Sequence, residues 1–228
     1  MFTGIVAAIG RITDIKSLGG ADAGVRLAID AGALGLDDVA IGDSIAVEGA
    51  CMTVVRMAGN SFEVEVSRES LSKTAGLSTP AEVNLEKSLT LSTKLGGHLV
   101  SGHVDGLGRV EKFEAVGESW ELVVRSPKEL AKFLAYKGAV TVNGVSLTVN
   151  RVTDFADGAD FSINLIPHTV AVTTLRHLAP GAFVNLEIDL IARYVERMLS
   201  VRLYRDTEVS AHNESDGFGL RARRKPQR

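Results

Sequence analysis

An internal duplication constrains the fold of this chain more than any other feature of its sequence. The stretch 3–12 (TGIVAAIGRI) matches the stretch 101–110 (SGHVDGLGRV) at four positions, at an offset of 98 residues. Three further matches follow in the same order, at offsets of 95, 99 and 101 residues: 47–54 with 142–149, 62–71 with 161–170, and 83–89 with 184–190. Four collinear matches indicate the duplication of a whole domain. We predict one domain over 1–97 and a second over 98–190.

Short β-rich stretches recur in both repeats, separated by glycine and by Asn or Asp turns. They include SIAVEG (44–49), CMTVVRM (51–57), SFEVEV (61–66) and FVNLEI (183–188). Branched and alternating apolar residues of this kind are typical of strands. We therefore predict an all-β chain of two compact antiparallel barrels, each of roughly six short strands, because closure removes exposed sheet edges.

Helices are predicted to be few and short. The segment SPKELAKFL (126–134) carries a helix start signal, with Ser126 as N-cap, Pro127 in the first turn and Glu129 completing a capping box.

The sequence changes character after residue 190. Apolar residues recur there with a period near that of a helix, at Ile191, Tyr194, Val195, Met198 and Leu199. We predict an amphipathic helix over 191–205 that buries its apolar stripe by self-association. The polar and then basic stretch 206–228 is predicted to be a disordered tail, and not an arm for nucleic acid.

Composition excludes several classes of protein. With 45% hydrophobic and 23% charged residues, the chain resembles an ordinary globular protein that buries a core. A net charge of −3 points to neither a nucleic-acid nor a membrane partner. The N-terminus has no basic segment before its apolar residues, and the single cysteine agrees with a reducing compartment. We expect a cytoplasmic protein.

The common catalytic signatures are missing from the sequence. It contains no P-loop, no G-x-G-x-x-G, no H-E-x-x-H and no G-x-S-x-G. His98 and His103 are five residues apart, but no cysteine or acidic cluster lies beside them. We therefore predict no metal site.

Four motifs together resemble one known family. MFTGIV (1–6), GGHLVSGHVDG (96–106), GVSLTVN (144–150) and LIPHT (165–169), in that order, are similar to the alpha-type riboflavin synthases, which consist of two lumazine-binding repeats. The resemblance implies two tandem six-stranded antiparallel Greek-key barrels, a C-terminal helix and a homotrimer.

The resemblance also implies a reaction. Two molecules of 6,7-dimethyl-8-ribityllumazine dismutate, one donating a four-carbon unit to the other, and yield riboflavin and 5-amino-6-ribitylamino-uracil. No cofactor is expected, because the substrate is its own electron sink. The expected partners are two lumazines per site, riboflavin and two further copies of the chain. The order of subunits around the site, the role of the tail and an association with lumazine synthase are left open.

This chemistry supplies a reason for the duplication. A reaction between two copies of one substrate needs two similar pockets face to face, and such positioning can reach effective molarities of ~10⁵ M or more. The donor and the acceptor differ, so the pockets should differ as well. Cys51 in the first repeat stands where Ser146 stands in the second. In the family, the site is formed by the N-terminal barrel of one subunit and the C-terminal barrel of its neighbour.

Five residues are the catalytic candidates, and each has an alternative structural interpretation. Cys51 is a nucleophile or a small buried side chain. Ser146 and Thr148 lie two apart on a strand and share a face, as ligand contacts or as ordinary strand residues. His103 stands where the first repeat has the apolar Ile5, and this difference between the repeats favours a site role more than a histidine by itself would. Asp189 is a site acid or the N-cap of the last helix.

The mechanism that we expect divides the chemistry between the two pockets. His103 or the Ser146 hydroxyl assists removal of a proton from the 7-methyl group of one lumazine, whose carbanion is delocalised over the ring system. Water or a side chain such as Cys51 adds to the other lumazine. His98, which has no counterpart in the first repeat, is either a linker or a site residue.

The resemblance places further residues on the substrate. They are Gly4, Ile5, Val6, Ser44, Met52, Thr53, Glu65, Val66, Ser67, Arg68, Glu69, Ser70, Gly102, Val104, Lys137, Leu147, Asn164, Leu165, Ile166, Pro167, His168 and Thr169.

Two other functions occur on related β-barrels and make different predictions about the sequence. A lumazine protein has the same double barrel as a non-catalytic carrier, but it should lose site residues in one repeat and need no trimer. Here all five catalytic candidates are present. A flavin-dependent reductase with a single barrel needs an R-x-Y-[ST] motif, and the nearest string here, ARYVER (192–197), does not match it.

Overall fold

The first repeat folds into six antiparallel strands. A computed structural model of the chain describes residues 1–20 and 23–201. The elements of the first repeat are β1 (Ala8–Ser17), β2 (Val25–Asp30), β3 (Ser44–Val47), β4 (Ala50–Ala58), β5 (Ser61–Val66), α1 (Arg68–Lys73) and β6 (Glu82–Lys87). Their strands pair in the order β1-β2-β5-β4-β3-β6 and close into a barrel.

The second repeat has the same strand order with one strand divided. Its elements are β7 (Gly106–Val116), β8 (Ser119–Pro127), α2 (Lys128–Ala131), β9 (Ala139–Val142), β10 (Val145–Thr148), β11 (Arg151–Phe155), β12 (Gly158–Leu165), α3 (Pro167–Val172), a 3-10 turn (Thr174–His177) and β13 (Phe183–Ile188). The sheet runs in the order β10-β9-β13-β7-β8-β12-β11.

The two edge strands of this second sheet are consecutive in the chain. Only Val149 and Asn150 separate β10 from β11. The backbone N of Val149 donates to the carbonyl of Gly138 (3.0 Å), and the N of Asn150 donates to the carbonyl of Ser162 in β12 (2.8 Å). The sheet therefore curls until its edges meet at the equivalent of β4. The predicted all-β class with two tandem barrels is confirmed, and the division of one strand is a detail that the sequence did not indicate.

Tight hairpins set the strand register in both repeats. Glu48 and Gly49 join β3 to β4, and Asn143 and Gly144 join β9 to β10. All four residues have positive φ, between 49° and 86°. Two-residue hairpins need this left-handed conformation, which Asn and Gly adopt readily. Glutamate at position 48 is unusual for such a turn.

Each repeat has its own hydrophobic core. Buried residues of the first cluster come from the first repeat, for example Leu27 and Phe62, and those of the second come from the second repeat, for example Leu122 and Phe161. Both barrels belong to one compact unit, Met1–Leu190. The predicted boundary between residues 97 and 98 stays a prediction.

The helix predicted over 126–134 is much shorter than its start signal suggested. β8 continues to Pro127, and α2 is a single turn over Lys128–Ala131. Ser126 is buried, and its hydroxyl bonds to the carbonyl of Pro127 instead of capping the helix. The pairing of Ser126 with Ala159 in β12 overrides the local signal.

Residues 190–201 are helical up to the end of the described chain. The apolar stripe of this helix is exposed, with Ile191 and Met198 each 66% accessible. The last four residues of the predicted helix and the tail over 206–228 lie outside the described residues. None of the helices within residues 1–20 and 23–201 has both the length and the apolar character that a membrane crossing requires.

Candidate active site

The beginning of each repeat crosses to the opposite barrel. The carbonyl of Gly4 accepts a hydrogen bond from the backbone N of Ser146 in β10 (2.7 Å). The carbonyl of Gly102 accepts one from the backbone N of Cys51 in β4, also at 2.7 Å. Between these two crossings, Phe2 pairs antiparallel with Val100. The two candidate residues Cys51 and Ser146 thus each lie against a segment of the other repeat.

Glycine is required at both crossing points. Gly4 and Gly102 have φ of +75° and +78°. A Cβ added to Gly4 would lie 2.6 Å from the Cβ of Ser146, and one added to Gly102 would lie 2.7 Å from the Cβ of Cys51. Contacts this short are repulsive, so only glycine lets the segments approach the strands.

We expect Gly102→Ala to destabilise the protein by at least about 2 kcal/mol, because a left-handed alanine costs about 1 kcal/mol and overpacking costs a similar amount or more. Chemical denaturation measures this loss. Cys51 is the only cysteine, and we expect its thiol to react faster when its backbone partner is displaced. Gly117→Ala is the matched control, since Gly117 also has positive φ (60°) but nothing within 4 Å of an added Cβ. An equal loss of stability in both variants would contradict the close approach.

A cavity of about 230 Å³ opens beside Cys51, and we call it the first cavity. It is built from the start of β4, from α1 and the residue after it, and from the segment 102–104 at the beginning of the second repeat, which we call the crossing segment of that repeat. Its lining residues are Ala50, Cys51, Met52, Glu69, Ser70, Lys73, Thr74, Gly102, His103 and Val104. Cys51 is half-buried and packs on Phe2, Ala46 and Val100 at the seam.

The second cavity, of about 180 Å³, opens beside Ser146 in the corresponding place. It is built from β10, from α3 and the residue after it, and from the crossing segment of the first repeat, residues 4–6. Its lining residues are Gly4, Ile5, Val6, Val145, Ser146, His168, Thr169, Val172 and Thr173. The two cavities are therefore equivalent in construction and different in chemistry, with a thiol in one and a hydroxyl in the other.

Ser146 has a histidine partner. The Nδ1 of His98 lies 2.7 Å from its hydroxyl oxygen, within hydrogen-bond distance. Burial lowers the pKa of His98, and the negative charge of Asp189 opposes this effect. A lowered pKa keeps the imidazole neutral near pH 7. When Nδ1 is the unprotonated nitrogen, it accepts a hydrogen bond from the Ser146 hydroxyl. The imidazole can then act as a general base through this hydroxyl.

The pattern of burial in β10 places Ser146 and Thr148 on one face. Val145 and Leu147 point into the core, whereas Ser146 is half-buried and Thr148 is exposed on the outside. Only Ser146 of this outer pair lines the second cavity. Thr148 therefore lies outside the cavity in the single chain.

The structure brings 13 of the 27 predicted site residues to the two cavities. The remaining 14 line neither cavity: Ser44, Thr53, Glu65, Val66, Ser67, Arg68, Lys137, Leu147, Thr148, Asn164, Leu165, Ile166, Pro167 and Asp189. The side chains of Val66, Leu147 and Leu165 lie in the barrel cores, because alternate strand positions face inward. A ligand could reach only their backbone. The Lys137 ammonium donates to Asn150 Oδ1 (3.1 Å).

Six lining residues were not predicted: Ala50, Lys73 and Thr74 in the first cavity, and Val145, Val172 and Thr173 in the second. They form three equivalent pairs at offsets of 95 and 99 residues. Ala50 and Val145 lie inside one matched stretch, and the other two pairs lie two and three positions beyond the end of another. His98 contacts Ser146 from the segment before the matched stretch 101–110, where no equivalence between the repeats could assign it.

A third cavity, of about 520 Å³, is larger than either and lies at the seam between the two barrels. Its base contains Glu48, whose carboxylate accepts hydrogen bonds from the backbone N of Asn84 (2.7 Å) and the hydroxyl of Thr174 (2.8 Å). Burial raises the pKa of Glu48 to about 7. Neither Cys51 nor Ser146 lines this cavity, so the two smaller cavities are the candidate sites.

Within residues 1–20 and 23–201, no group of three or more His, Cys, Asp or Glu side chains could hold a metal ion. The expectation that catalysis needs no metal and no cofactor stays a prediction.

Comparisons with known proteins agree on one family. The profile of the lumazine-binding domain matches residues 3–88 and 101–189. The riboflavin synthase of Photobacterium phosphoreum is 44% identical over 203 residues, which cover 88% of this chain and 90% of that protein. The riboflavin synthase of Photobacterium leiognathi is 39% identical over 223 residues, which cover 96% of this chain and 99% of that protein.

Solved structures show the same architecture. The crystal structure of LumP complexed with riboflavin matches with a TM-score of 0.72 at 27% identity, over 82% of this chain and 99% of that chain. The crystal structure of LumP complexed with 6,7-dimethyl-8-(1'-D-ribityl) lumazine matches with a TM-score of 0.70 at 26% identity, over the same shares of both chains.

Proposed function

The chain belongs to the riboflavin synthase family, with a lumazine-binding domain in each repeat, and on this premise we propose that it makes riboflavin from two molecules of 6,7-dimethyl-8-ribityllumazine. One molecule donates a four-carbon unit to the other, and 5-amino-6-ribitylamino-uracil is released. The atoms of the two substrates equal those of the two products, so the reaction needs no external oxidant or reductant. This is the final step of riboflavin biosynthesis, and the enzyme is a transferase.

The observation that best supports this proposal is the pair of equivalent cavities with different side chains. Cys51 and Ser146 occupy the same place in the two repeats, each beside the crossing segment of the other repeat. Two like molecules can bind in two like cavities, while the thiol and the hydroxyl give them different roles. Holding both substrates in place turns an encounter of two molecules into a positioned reaction.

We assign the proton transfer to the second cavity. The Ser146 hydroxyl bonds to His98, whose pKa is lowered by burial, so a neutral imidazole is present at pH 7 to accept a proton. The 7-methyl group of a lumazine beside Ser146 would lose its proton through this pair. The resulting carbanion is delocalised over the ring system.

The first cavity holds the candidates for the complementary step. Cys51 or a water molecule adds to the second lumazine and prepares it to donate its carbons, and it leaves again when the four-carbon unit is transferred, so that it is not consumed. His103, which we expected to assist the proton transfer as an alternative to Ser146, lines the first cavity and not the second. It lies there with Lys73, and both carry groups that can move a proton or stabilise a developing negative charge. A Cys51→Ser variant distinguishes the two nucleophiles: a large loss of rate indicates the thiol, and a nearly unchanged rate indicates water.

We propose that the working form is a homotrimer in which the N-terminal barrel of one subunit faces the C-terminal barrel of the next. The exposed stripe on residues 190–201, which includes Tyr194 at 62% accessibility, supplies an apolar surface for self-association. Light scattering that gives the mass of a single chain at micromolar concentration would contradict this proposal. Cytoplasmic location and an association with lumazine synthase remain predictions.

The function is tested by incubating the purified protein with 6,7-dimethyl-8-ribityllumazine and EDTA, with nothing else added. We expect one riboflavin for every two lumazines consumed, followed by absorbance and chromatography. A stable bound chromophore without product would indicate a carrier, the role that the similarity to LumP leaves as the second candidate. An absolute need for a metal or a nicotinamide would contradict the proposal.

A further inference from the structure

Two buried glutamates lie outside both cavities, at equivalent places in the two barrels. Glu86 lies on β6 and is 9% accessible, and Glu187 lies on β13 and is 3% accessible. Neither residue lines the first or the second cavity. We propose that Glu86 and Glu187 are positioning residues, each of which shapes the cavity of the barrel opposite to its own.

Glu86 holds the beginning of the first repeat with both carboxylate oxygens. Its Oε1 accepts hydrogen bonds from the backbone N (2.7 Å) and the hydroxyl (2.6 Å) of Thr3. Its Oε2 accepts one from the backbone N of Gly4 (2.9 Å). Three bonds to two adjacent residues fix both the position and the direction of this segment.

Glu187 holds the beginning of the second repeat in the same way. Its Oε1 accepts hydrogen bonds from the backbone N and the hydroxyl of Ser101, both at 2.7 Å. Its Oε2 accepts one from the backbone N of Gly102 (2.9 Å). The duplication has thus preserved the acceptor, the hydroxyl donor and the glycine.

The two hydroxyl groups extend this restraint to one further residue of each cavity. The Thr3 hydroxyl oxygen accepts a hydrogen bond from the backbone N of Ile5 (3.1 Å), and the Ser101 hydroxyl oxygen accepts one from the backbone N of His103 (3.3 Å). Ile5 lines the second cavity, and His103 lines the first. Each carboxylate therefore bonds directly to one glycine that lines a cavity and, through one hydroxyl, restrains a second cavity residue.

Because the segments cross, the restraint acts on the opposite barrel. Gly4, held by Glu86 of the first barrel, bonds to Ser146 in the second. Gly102, held by Glu187 of the second barrel, bonds to Cys51 in the first. The packing agrees, since Val6 rests on the core of the second barrel and Val104 on that of the first.

A carboxylate suits this task better than an amide. It has two oxygens that accept and no hydrogen that donates, so three donors can be met at once. A glutamine has one acceptor oxygen, and its NH₂ group would face a donor. Glu86→Gln or Glu187→Gln therefore loses at least one bond and releases the segment, while the volume of the side chain stays the same.

The test uses the reactivity of a single thiol in each cavity toward an aromatic disulfide reagent. Cys51 reports on the first cavity in the native chain, because it is the only cysteine. The double variant Cys51→Ser with Ser146→Cys moves the reporter to the second cavity. Each glutamate is then changed to glutamine in both backgrounds, and the labelling rates are compared within each background.

We expect a crossed pattern. Glu187→Gln should speed the labelling of Cys51 by about tenfold, the factor that corresponds to the loss of one or two hydrogen bonds, and Glu86→Gln should change it less than twofold. With the reporter at position 146, Glu86→Gln should give the large effect and Glu187→Gln the small one. A general loss of stability would speed both reporters alike, and a larger effect in the glutamate's own barrel would overturn the proposal.

Two further sets of variants complete the design. Glu114→Gln, an exposed position on β7, is the matched control and should leave both rates unchanged. If a buried glutamine prevents folding, Thr3→Val and Ser101→Ala remove the two bonds of the hydroxyl group and keep both backbone bonds to the carboxylate. They should reproduce the crossed pattern with a smaller amplitude. The consequence for catalysis rests on the proposed function, but the labelling rates do not. A crossed pattern in a protein that makes no riboflavin would refute the function alone.

Discussion

Replacing Ser146 by alanine is expected to lower kcat for riboflavin formation by a factor of about 10² to 10⁴, the range that general base catalysis contributes in enzymes. The structure supplies the reason. The hydroxyl lines the second cavity and lies 2.7 Å from the Nδ1 of His98, so the substitution removes the group through which the imidazole reaches the substrate. Stopped or continuous assays of riboflavin absorbance measure the rate, and denaturation confirms that the variant is folded.

The pH dependence of the same rate carries the signature of His98. The imidazole acts as a base only when it is neutral, and burial lowers its pKa below the ordinary histidine value of 6.5. The rate should therefore stay constant as the pH falls from 8 toward 6.5 and decrease only in more acidic solution. His98→Asn should abolish this acidic limb.

Two comparisons make the prediction specific. Thr153→Ala removes an exposed hydroxyl from β11 and should leave kcat within a factor of about two, as is usual for surface changes. The double variant of Ser146 and His98 should be little slower than either single variant, because residues that act as a unit are not additive. A fully additive loss, or an unchanged rate in Ser146→Ala, would remove the pair from the mechanism.

Glu48→Gln is expected to stabilise the protein in alkaline solution. The carboxyl group of Glu48 is buried at the seam between the barrels, and burial raises its pKa to about 7 from the ordinary value of 4.5. Below pH 4.5 it is protonated in both the folded and the unfolded chain. Between 4.5 and 7 the unfolded chain releases the proton while the folded chain keeps it, so stability falls by about 1.4 kcal/mol per pH unit.

Above pH 7 the accumulated loss of stability is about 3 kcal/mol. Glutamine is neutral at every pH and has nearly the same shape. Its oxygen can accept from the backbone N of Asn84, and its NH₂ can donate to the Thr174 hydroxyl, which accepts as well as donates. The variant should therefore lack this pH dependence and exceed the native protein in stability at pH 8 by up to the same amount.

Urea denaturation at pH 5, 6.5 and 8 measures this difference. Glu118→Gln is the matched control, because Glu118 lies in the exposed hairpin turn between β7 and β8. It should follow the native pH curve. If Glu48→Gln loses stability equally at all three values, the carboxylate is stabilising at the seam, and the direction inferred for its pKa is wrong.

The sequence predicted the fold class well, because the duplication and the strand patterns are local signals that repeat. It also identified Cys51 and Ser146 as equivalent residues with different chemistry, and both line cavities. Local signals failed where the tertiary structure opposed them. Ser126 carries the pattern of a helix cap but is buried in β8, because pairing with β12 outweighs a single capping bond.

The partner of Ser146 shows a different limit. His98 lies 48 residues away in the sequence, in a segment without an equivalent in the first repeat. Its role depends on where the linker between the barrels passes. Glu48 is similar, since nothing in its neighbourhood indicates that a charged residue in a tight turn is 5% accessible.

The amino-acid sequence by itself determined that this chain contains two related barrels, that each presents one equivalent polar position, and that the chain resembles riboflavin synthase. Only the tertiary structure decided that the first residues of each repeat join the opposite barrel. The bonds from Gly4 to Ser146 and from Gly102 to Cys51 run through backbone atoms, which every residue has. Backbone pairing between distant segments leaves no residue pattern along the chain, so the crossing becomes visible only when both barrels are in place.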